Sequence, residues 1–406
     1  MQIFESIRLA LQTIWSNKLR SLMTVLGNIV AVGSIVTVVS LIQGMNAMVS
    51  NAIVTQVGAD AFTIQRVPIT RTDEDIERVR ANPLLTLSEA DAIRGFSPNI
   101  RSVMAQAQQN GSVSYRDQVL DLVTIQGVTS DYLDFANFDA ERGRMMSAIE
   151  VDRNRPVVLL GTDTALRLFG DANPLDKTIQ IAGVHFRVVG VSTKKGGFLG
   201  NSLDSFAVIP LGAYMKLFGA RPSLALLVKP VTPALLPLAM DDATAALRVA
   251  RHLKGSQVNN FGFVTSDTVL ALYKQATTGI FAVLVGVVAL SLVVGGIVIM
   301  NIMLMVVTER TREIGLRKAL GARRSDIMWQ VLTESVTLSM CGGVAGIAIG
   351  IGIGQLISAV TPLPARLEPW SVFLGIGITA AVGLFFGLYP AARAASLDPI
   401  EALRRE

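Results

Sequence analysis

The sequence predicts an α+β membrane protein: four transmembrane helices, with a large extracytoplasmic mixed α/β domain between helices 1 and 2. Composition is the first reason. The chain of 406 residues is 51% hydrophobic and only 17% charged, at a mean hydropathy of +0.50, which excludes an ordinary cytosolic enzyme. The second is the kind of apolarity: 35 glycines against 6% aromatic residues is the small, aliphatic mixture of helices packed in lipid. The third is its distribution. One long uncharged run precedes Asn46 and three follow Gln275, while the segment between holds 23 Lys plus Arg and 22 Asp plus Glu.

Taken in order, Ile3, Phe4, Ile7, Leu11, Ile14 and Trp15 recur at helical spacing, so residues 1–20 read as an amphipathic helix in the membrane interface. The alternative is the plain start of the first span. That span, 21–45, is built on Leu22 to Leu41, 20 residues without a charge, enough for a hydrocarbon core about 30 Å thick. Its apolar run is too long for a signal peptide and no small-residue cleavage site follows before Gln43, so it is expected to stay as an anchor. Residues 46–275 form a soluble domain with mixed signals. Leu87 to Arg94 reads as a helix capped by Ser88, Val119 to Gly127 as an alternating strand, and Pro156 to Gly161 as a buried strand. Thr162 to Phe169 reads as a helix, and Thr178 to Ile181 pairs with His185 to Val191 across an Ala182-Gly183 turn. Arg71 to Asn82 is polar and suits an exposed arm or a solvated helix. Ile280 to Val307 runs 28 residues without a charge, about 42 Å of helix, so 276–308 is expected to tilt or to project as a stalk. Two more spans, 331–360 and 372–390, flank a short outer loop, 361–371. Residues 391–406 form a tail.

Charge orients these spans. The loop from Glu309 to Asp326 carries six basic residues, and others sit at Arg8, Lys18, Arg20, Arg393, Arg404 and Arg405. Short basic loops stay in the cytoplasm, whereas a long domain crosses largely regardless of charge. Both termini and the 309–326 loop are therefore placed inside, the large domain and the 361–371 loop outside. The basic balance is then a matter of topology; without a dense basic patch interleaved with aromatics, nucleic acid is no partner.

Catalytic chemistry is scarce. The one cysteine, Cys341, lies within the third span, so no disulfide or cysteine metal cluster forms within the chain. His185 and His252 are isolated, and neither a nucleophile elbow, a zinc-protease motif nor a phosphate-binding loop occurs. No catalytic or metal site is expected. The most informative stretch is Glu309 to Asp326, where charged residues recur beside the apolar anchors Ile314, Leu316 and Leu320. A short amphipathic helix ending at Gly321 fits it, either as a topogenic loop or as a docking element for a cytosolic partner.

That stretch, ERTREIGLRKALGA, resembles the segment between the second and third membrane helices of MacB-like (FtsX-like) ABC transporter permeases. The closing GLYPAARAASLDPIEALRRE resembles that family's ending, with Pro390, Ala395, Pro399 and Leu403 in place. GVTSDYLDFANFDAERGRMM, VVLLGTDTALRLFGDANPLDKTIQIAG and FRVVGV resemble its periplasmic core domain in order and spacing. Asp176 departs from the family, which usually has Gly in that turn. MacB also carries a fused N-terminal ATPase, whereas this sequence starts almost at the membrane.

The resemblance implies a permease of the bacterial inner membrane, multi-pass, with both termini cytoplasmic, that is itself no enzyme. Glu309, Arg310, Arg312, Glu313, Ile314, Gly315, Arg317, Lys318 and Gly321 would form a coupling helix in the cleft of a separate ABC ATPase, which holds ATP and Mg; this chain would carry no cofactor. Further implied partners are a second permease copy or homologue and, depending on the envelope, a periplasmic adaptor and an outer-membrane channel. ATP-driven closure would be transmitted to the outer domains for efflux of drugs, peptides or similar substrates. Alternatives within the family are a lipoprotein-releasing permease and an FtsX-type regulator of a cell-wall hydrolase. Absence of any charge within the four spans agrees with mechanical transmission, since a polar pathway through lipid usually needs some. Finally, Gly342, Gly346, Gly350 and Gly354 share one helix face, and Gly383 with Gly387 repeat the spacing on the next helix. Packing of these two faces on each other is expected ahead of a dimer contact.

Overall fold

A computed structural model describes residues 18–57, 60–67, 82–135, 139–198, 201–361 and 363–404. The proposed interfacial helix, up to residue 17, and the polar arm, up to residue 81, lie outside the described residues. The chain divides into two compact units, Val49–Lys274 and Met1–Met48 with Gln275–Glu406, called here the α/β unit and the helical unit.

The α/β unit is a sheet covered by helices. Its elements, following the first long helix α1 (Lys18–Val57), are β1 (Phe62–Gln65), α2 (Leu87–Phe96), β2 (Ile100–Tyr115), β3 (Gln118–Val128), β4 (Ala140–Gly143), α3 (Ala148–Asp152), β5 (Val157–Leu160) and α4 (Thr162–Phe169). There follow β6 (Thr178–Ile181), β7 (Val184–Ser192), β8 (Gly197–Phe198), β9 (Asn201–Ser202), β10 (Phe206–Pro210), α5 (Leu211–Phe218), β11 (Ala225–Pro230), α6 (Leu236–Ala250) and β12 (Gly262–Thr265). Ten strands form one sheet in the order β12-β1-β11-β2-β3-β10-β5-β7-β4, with β6 joined to β2 and β7. Only β3 with β10 and β5 with β7 run parallel among these pairs.

Apolar residues of α2, α4, α5 and α6 cover one face of the sheet, among them Ile93, Leu168, Tyr214 and Leu247. The other face is covered in part by Tyr132, Phe135, Met146 and Val151. Local chemistry explains the boundaries. The helix read as capped by Ser88 is capped instead by Thr86, whose hydroxyl accepts from Glu89 N while the Glu89 carboxylate takes Thr86 N. That is a capping box, and it places the start one residue before the run of helix formers. Ala182 and Gly183 both take positive φ, 46° and 86°, the turn that suits a two-residue hairpin. Asp176 sits at φ 60°. Its departure from glycine therefore retains the left-handed geometry that Asp tolerates better than most side chains.

The helical unit adds α7 (Ser266–Glu309), α8 (Thr311–Ala319), α9 (Arg324–Val360), α10 (Pro369–Ser396) and α11 (Pro399–Arg404), α7 beginning within the α/β unit's range. Among the described residues, four helices are long and apolar enough to cross a membrane: Leu26–Ile53 within α1, then α7, α9 and α10. Many of their large apolar residues face outward, with Leu290 66% and Phe385 76% exposed.

Candidate functional site

The residues singled out around Glu309 gather on a short helix between two long ones. Thr311 fastens the corner, its hydroxyl donating to Val307 O at 3.0 Å and Thr308 O at 2.8 Å. From there α8 buries one stripe, Thr311, Ile314 and Gly315. Ile314 joins an apolar cluster with Ile299, Met303, Val307, Ile327, Val331 and Ala391, so side chains from α7, α9 and α10 form its seat. Gly321, at φ 100°, turns the chain after Leu320, the left-handed helix ending that glycine permits. Asp326 then accepts from Arg323 N at 3.0 Å to start α9.

The cations expected to meet a partner divide into two groups. Three are engaged inside the chain. Arg310 pairs with Glu334 at 3.3 Å; Arg317 donates to Gln330 Oε1 and Glu313 Oε1, both at 2.6 Å. Lys318 Nζ donates to Ala395 O at 2.6 Å and Leu397 O at 2.7 Å. Burial, then the neighbouring charge of Arg324, holds the Lys318 ammonium below the usual lysine range, with Asp398 opposing. Arg310, Arg317 and Glu334 also line a cleft of about 30 Å³ with Met303, Val307 and Ile314. Glu309, Arg312 and Glu313 are exposed, together with Leu316 at 52% and Leu320 at 81%. Arg312, Leu316 and Leu320 are spaced four apart and so form one outward stripe. Sequence spacing revealed this helix but not Gln330, Glu334 or the carbonyls that anchor it, because those partners lie 13 to 79 residues away.

The glycine face of α9 meets a different neighbour from the one expected. A Cβ on Gly346 would come within 2.8 Å of Ile29 O, and one on Gly350 within 2.6 Å of Gly33 O, so both pack on α1 and not on α10. Asn28 Nδ2 donates to Ser339 O at 2.7 Å and Thr37 Oγ1 to Gly350 O at 3.0 Å across the same contact. The correction follows from helix geometry: α10 uses Gly383 and Gly387 against Ser339 and Ser335, while Gly343 takes Thr379. Residues 335, 339 and 343 make a second small stripe beside the first. Gly342 is buried and Gly354 faces Ala365.

The α/β unit has its own concavity, about 590 Å³, on the partly covered sheet face, lined by Gln65, Gln106, Gln108, Gln126, Thr124 and Lys195 among others. Asp204 accepts from Lys195 N and Gly196 N, which sets the Lys195 ammonium 4.6 Å from the Phe206 ring centre. Desolvation lowers that ammonium to about 8 against the pull of Asp204. Among the described residues no group of three or more His, Cys, Asp or Glu could hold a metal ion.

Comparison with known proteins gives this arrangement a family. Residues 21–246 match the MacB-like periplasmic core domain and 275–399 the FtsX-like permease C-terminal domain. The chain is 33% identical to the macrolide export ATP-binding/permease protein MacB of Bdellovibrio bacteriovorus over all of its own length and 62% of that protein's. It is 33% identical to the ABC transporter permease YknZ of Bacillus subtilis over the full length of both. Among solved structures, the periplasmic region of MacB from Actinobacillus actinomycetemcomitans aligns with 54% of this chain and 95% of its own at 20% identity and a TM-score of 0.44. The chain spans about three fifths of the MacB relatives it matches. It belongs to the MacB-like, FtsX-like family of ABC transporter permeases.

Proposed function

We propose that this chain is a membrane subunit that converts ATP hydrolysis on a separate ABC ATPase into movement of its α/β unit on the far side of the membrane. The observation that carries the reading is α8: a short helix seated by α7, α9 and α10, with Arg312, Leu316 and Leu320 turned outward. An exposed apolar stripe beside charges, outside the apolar spans, suits a protein partner. One uninterrupted helix of 44 residues ends beside it. At about 66 Å, α7 exceeds the hydrocarbon core by more than twofold and would carry displacement beyond the lipid. The placement in a membrane is supported by Trp370 and Tyr389, both about half exposed on α10 and about 28 Å apart along it, a spacing that fits the two aromatic belts. Both termini and α8 would then be cytoplasmic, and a second copy or a homologue would complete the pair above two ATPases. Efflux is the output favoured by the matches to MacB.

Two measurements test this. The solubilised chain should co-purify with an ABC ATPase, and Arg312→Glu, Leu316→Asp and Leu320→Asp together should release it with helical content unchanged; retention of the ATPase would overturn the docking surface. In a Cys341→Ala background, Leu320→Cys should react with a membrane-impermeant maleimide only after cells are permeabilised. Reaction in intact cells would place α8 outside, beyond the reach of any cytosolic motor. Release of a cell-wall hydrolase defect on deletion, without change in export, would favour the regulatory branch of the family.

A further inference from the structure

The last helix and the end of α10 before it are held against one side of α8, each by one contact. Ala402 is 2% exposed while Ile400, on the same helix, is 79% exposed. A Cβ added to Gly315 would meet the Ala402 Cβ at 2.5 Å, so the two backbones approach as closely as a glycine facing an alanine allows. Three residues further along the same face of α8, Lys318 donates to Ala395 O and Leu397 O. These are carbonyls at the C-terminal end of α10, where helix geometry leaves acceptors open and the helix dipole favours a cation. Asp398 caps α11 just beyond, its Oδ1 accepting from Ile400 N at 2.8 Å, as a helix N-cap does. The turn from α10 to α11 is therefore tied on both sides, and α8 is fixed through Gly315 and Lys318.

Resting on the reading of α8 as the surface that meets the ATPase, we propose that α11 is a positioning element: the Gly315–Ala402 contact and the Lys318 cap set the rotation of α8 about its own axis. Each residue of a helix advances about 100°, so holding Gly315 and Lys318 inward leaves Leu316 and Leu320 pointing outward, with Arg312 at the edge of that stripe. In this arrangement α11 acts through α8 and makes no contact with the ATPase itself. Rolling α8 by even half of that angle would turn the stripe away from its partner while every helix persisted.

The contact can be broken and remade by exchanging its two residues. Gly315→Ala should weaken ATPase binding tenfold or more, and Gly315→Ala combined with Ala402→Gly should restore it, because the pair again holds one methyl group. Ile400→Asp, on the exposed side of α11, should bind as the parent does. Failure of the exchange to restore binding, or a loss from Ile400→Asp equal to that from Gly315→Ala, would overturn the proposal, the latter by making α11 a direct contact. Geometry can be read without any ATPase. In the Cys341→Ala background, spin labels at Leu316→Cys and Trp329→Cys should change their separation with Gly315→Ala and recover it with the exchange. An unchanged separation sinks the positioning role even if ATPase binding is real, and a parent chain that binds no ATPase while the separation shifts sinks only the docking reading.

Discussion

The two units solve the packing problem with opposite residues. Inside the α/β unit the largest buried side chains include Tyr132, Phe62, Phe186 and Met146, and buried charge is paired, as in Arg251 with Glu89, whose side chains are 5% and 11% exposed. Inside the helical unit the contacts are made by Gly346 and Gly350 against Ile29 and Gly33, and Gly27 against Gly295. Its bulky residues, Val283, Leu290, Phe373 and Phe385, point out. Burial of large apolar area stabilises a fold only where the surrounding solvent is water. In lipid, association depends on close backbone approach and hydrogen bonds between helices, and Asn28 with Ser339 and Thr37 with Gly350 supply both. The contrast is the one expected if the α/β unit packs in water and the helical unit in lipid.

The largest expected effect tests that contrast directly. Gly346→Leu inserts a side chain where a Cβ alone would already meet backbone, and no rotamer change can relieve a clash with Ile29 O. Loss of most detergent-stable protein is expected by size-exclusion chromatography, whereas Phe385→Ala, a change in volume of similar size at an outward position, should leave the yield within about twofold. Equal yields for both would mean that the glycine contact is not what joins α1 to α9.

A smaller loss is expected from the ion pair of the other unit. Glu89→Gln leaves the Arg251 guanidinium buried without its charge partner, and removing one partner of a buried pair costs on the order of 3–5 kcal/mol. Glu89 also closes the capping box with Thr86 N, so Thr86→Ala should cost about 1 kcal/mol and the double variant less than the sum. Chemical denaturation followed by a probe in the α/β unit measures both; additive losses would show that cap and ion pair are independent.

The same contrast explains what the sequence discloses. Elements set by periodicity were legible: the strand around Val119–Gly127, the buried run Val157–Leu160 and the hairpin at Ala182–Gly183 all appear. The motif that begins at Glu309 pointed to α8. What stayed hidden was each choice among equivalent neighbours. Glycines at four-residue spacing state that a helix approaches, not which one, and α9 carries two small stripes that serve α1 and α10 separately. Likewise Arg310, Arg317 and Lys318 read as cations for a partner, since nothing in their spacing reveals Glu334, Gln330 or the Leu397 carbonyl. Thr86 and Ser88 both qualify as caps from composition, and only Glu89 at the third helical position decides between them.

The smallest effect separates the units by pH. Glu150 accepts from both guanidinium nitrogens of Arg144 at 2.7 Å and from Ser147 N at 2.9 Å, and these bonds, Arg144 first, lower its carboxyl from 4.5 to about 2. A carboxyl depressed in the folded state binds fewer protons there than in the unfolded chain, so the stability it contributes is complete above about pH 4.5 and is lost as pH falls towards 2. The Gly346 and Gly350 contacts with α1 contain no ionisable group. Acid should therefore loosen α3 and its cap at Ser147 before it loosens the join of α1 to α9. Thermal midpoints of the α/β unit should fall between pH 4.5 and 2 in the parent and fall less in Glu150→Gln, which starts lower and has no proton to gain. If both chains lose stability in parallel over that range, the Arg144–Glu150 pair contributes nothing to acid sensitivity, and other carboxylates of the unit carry it.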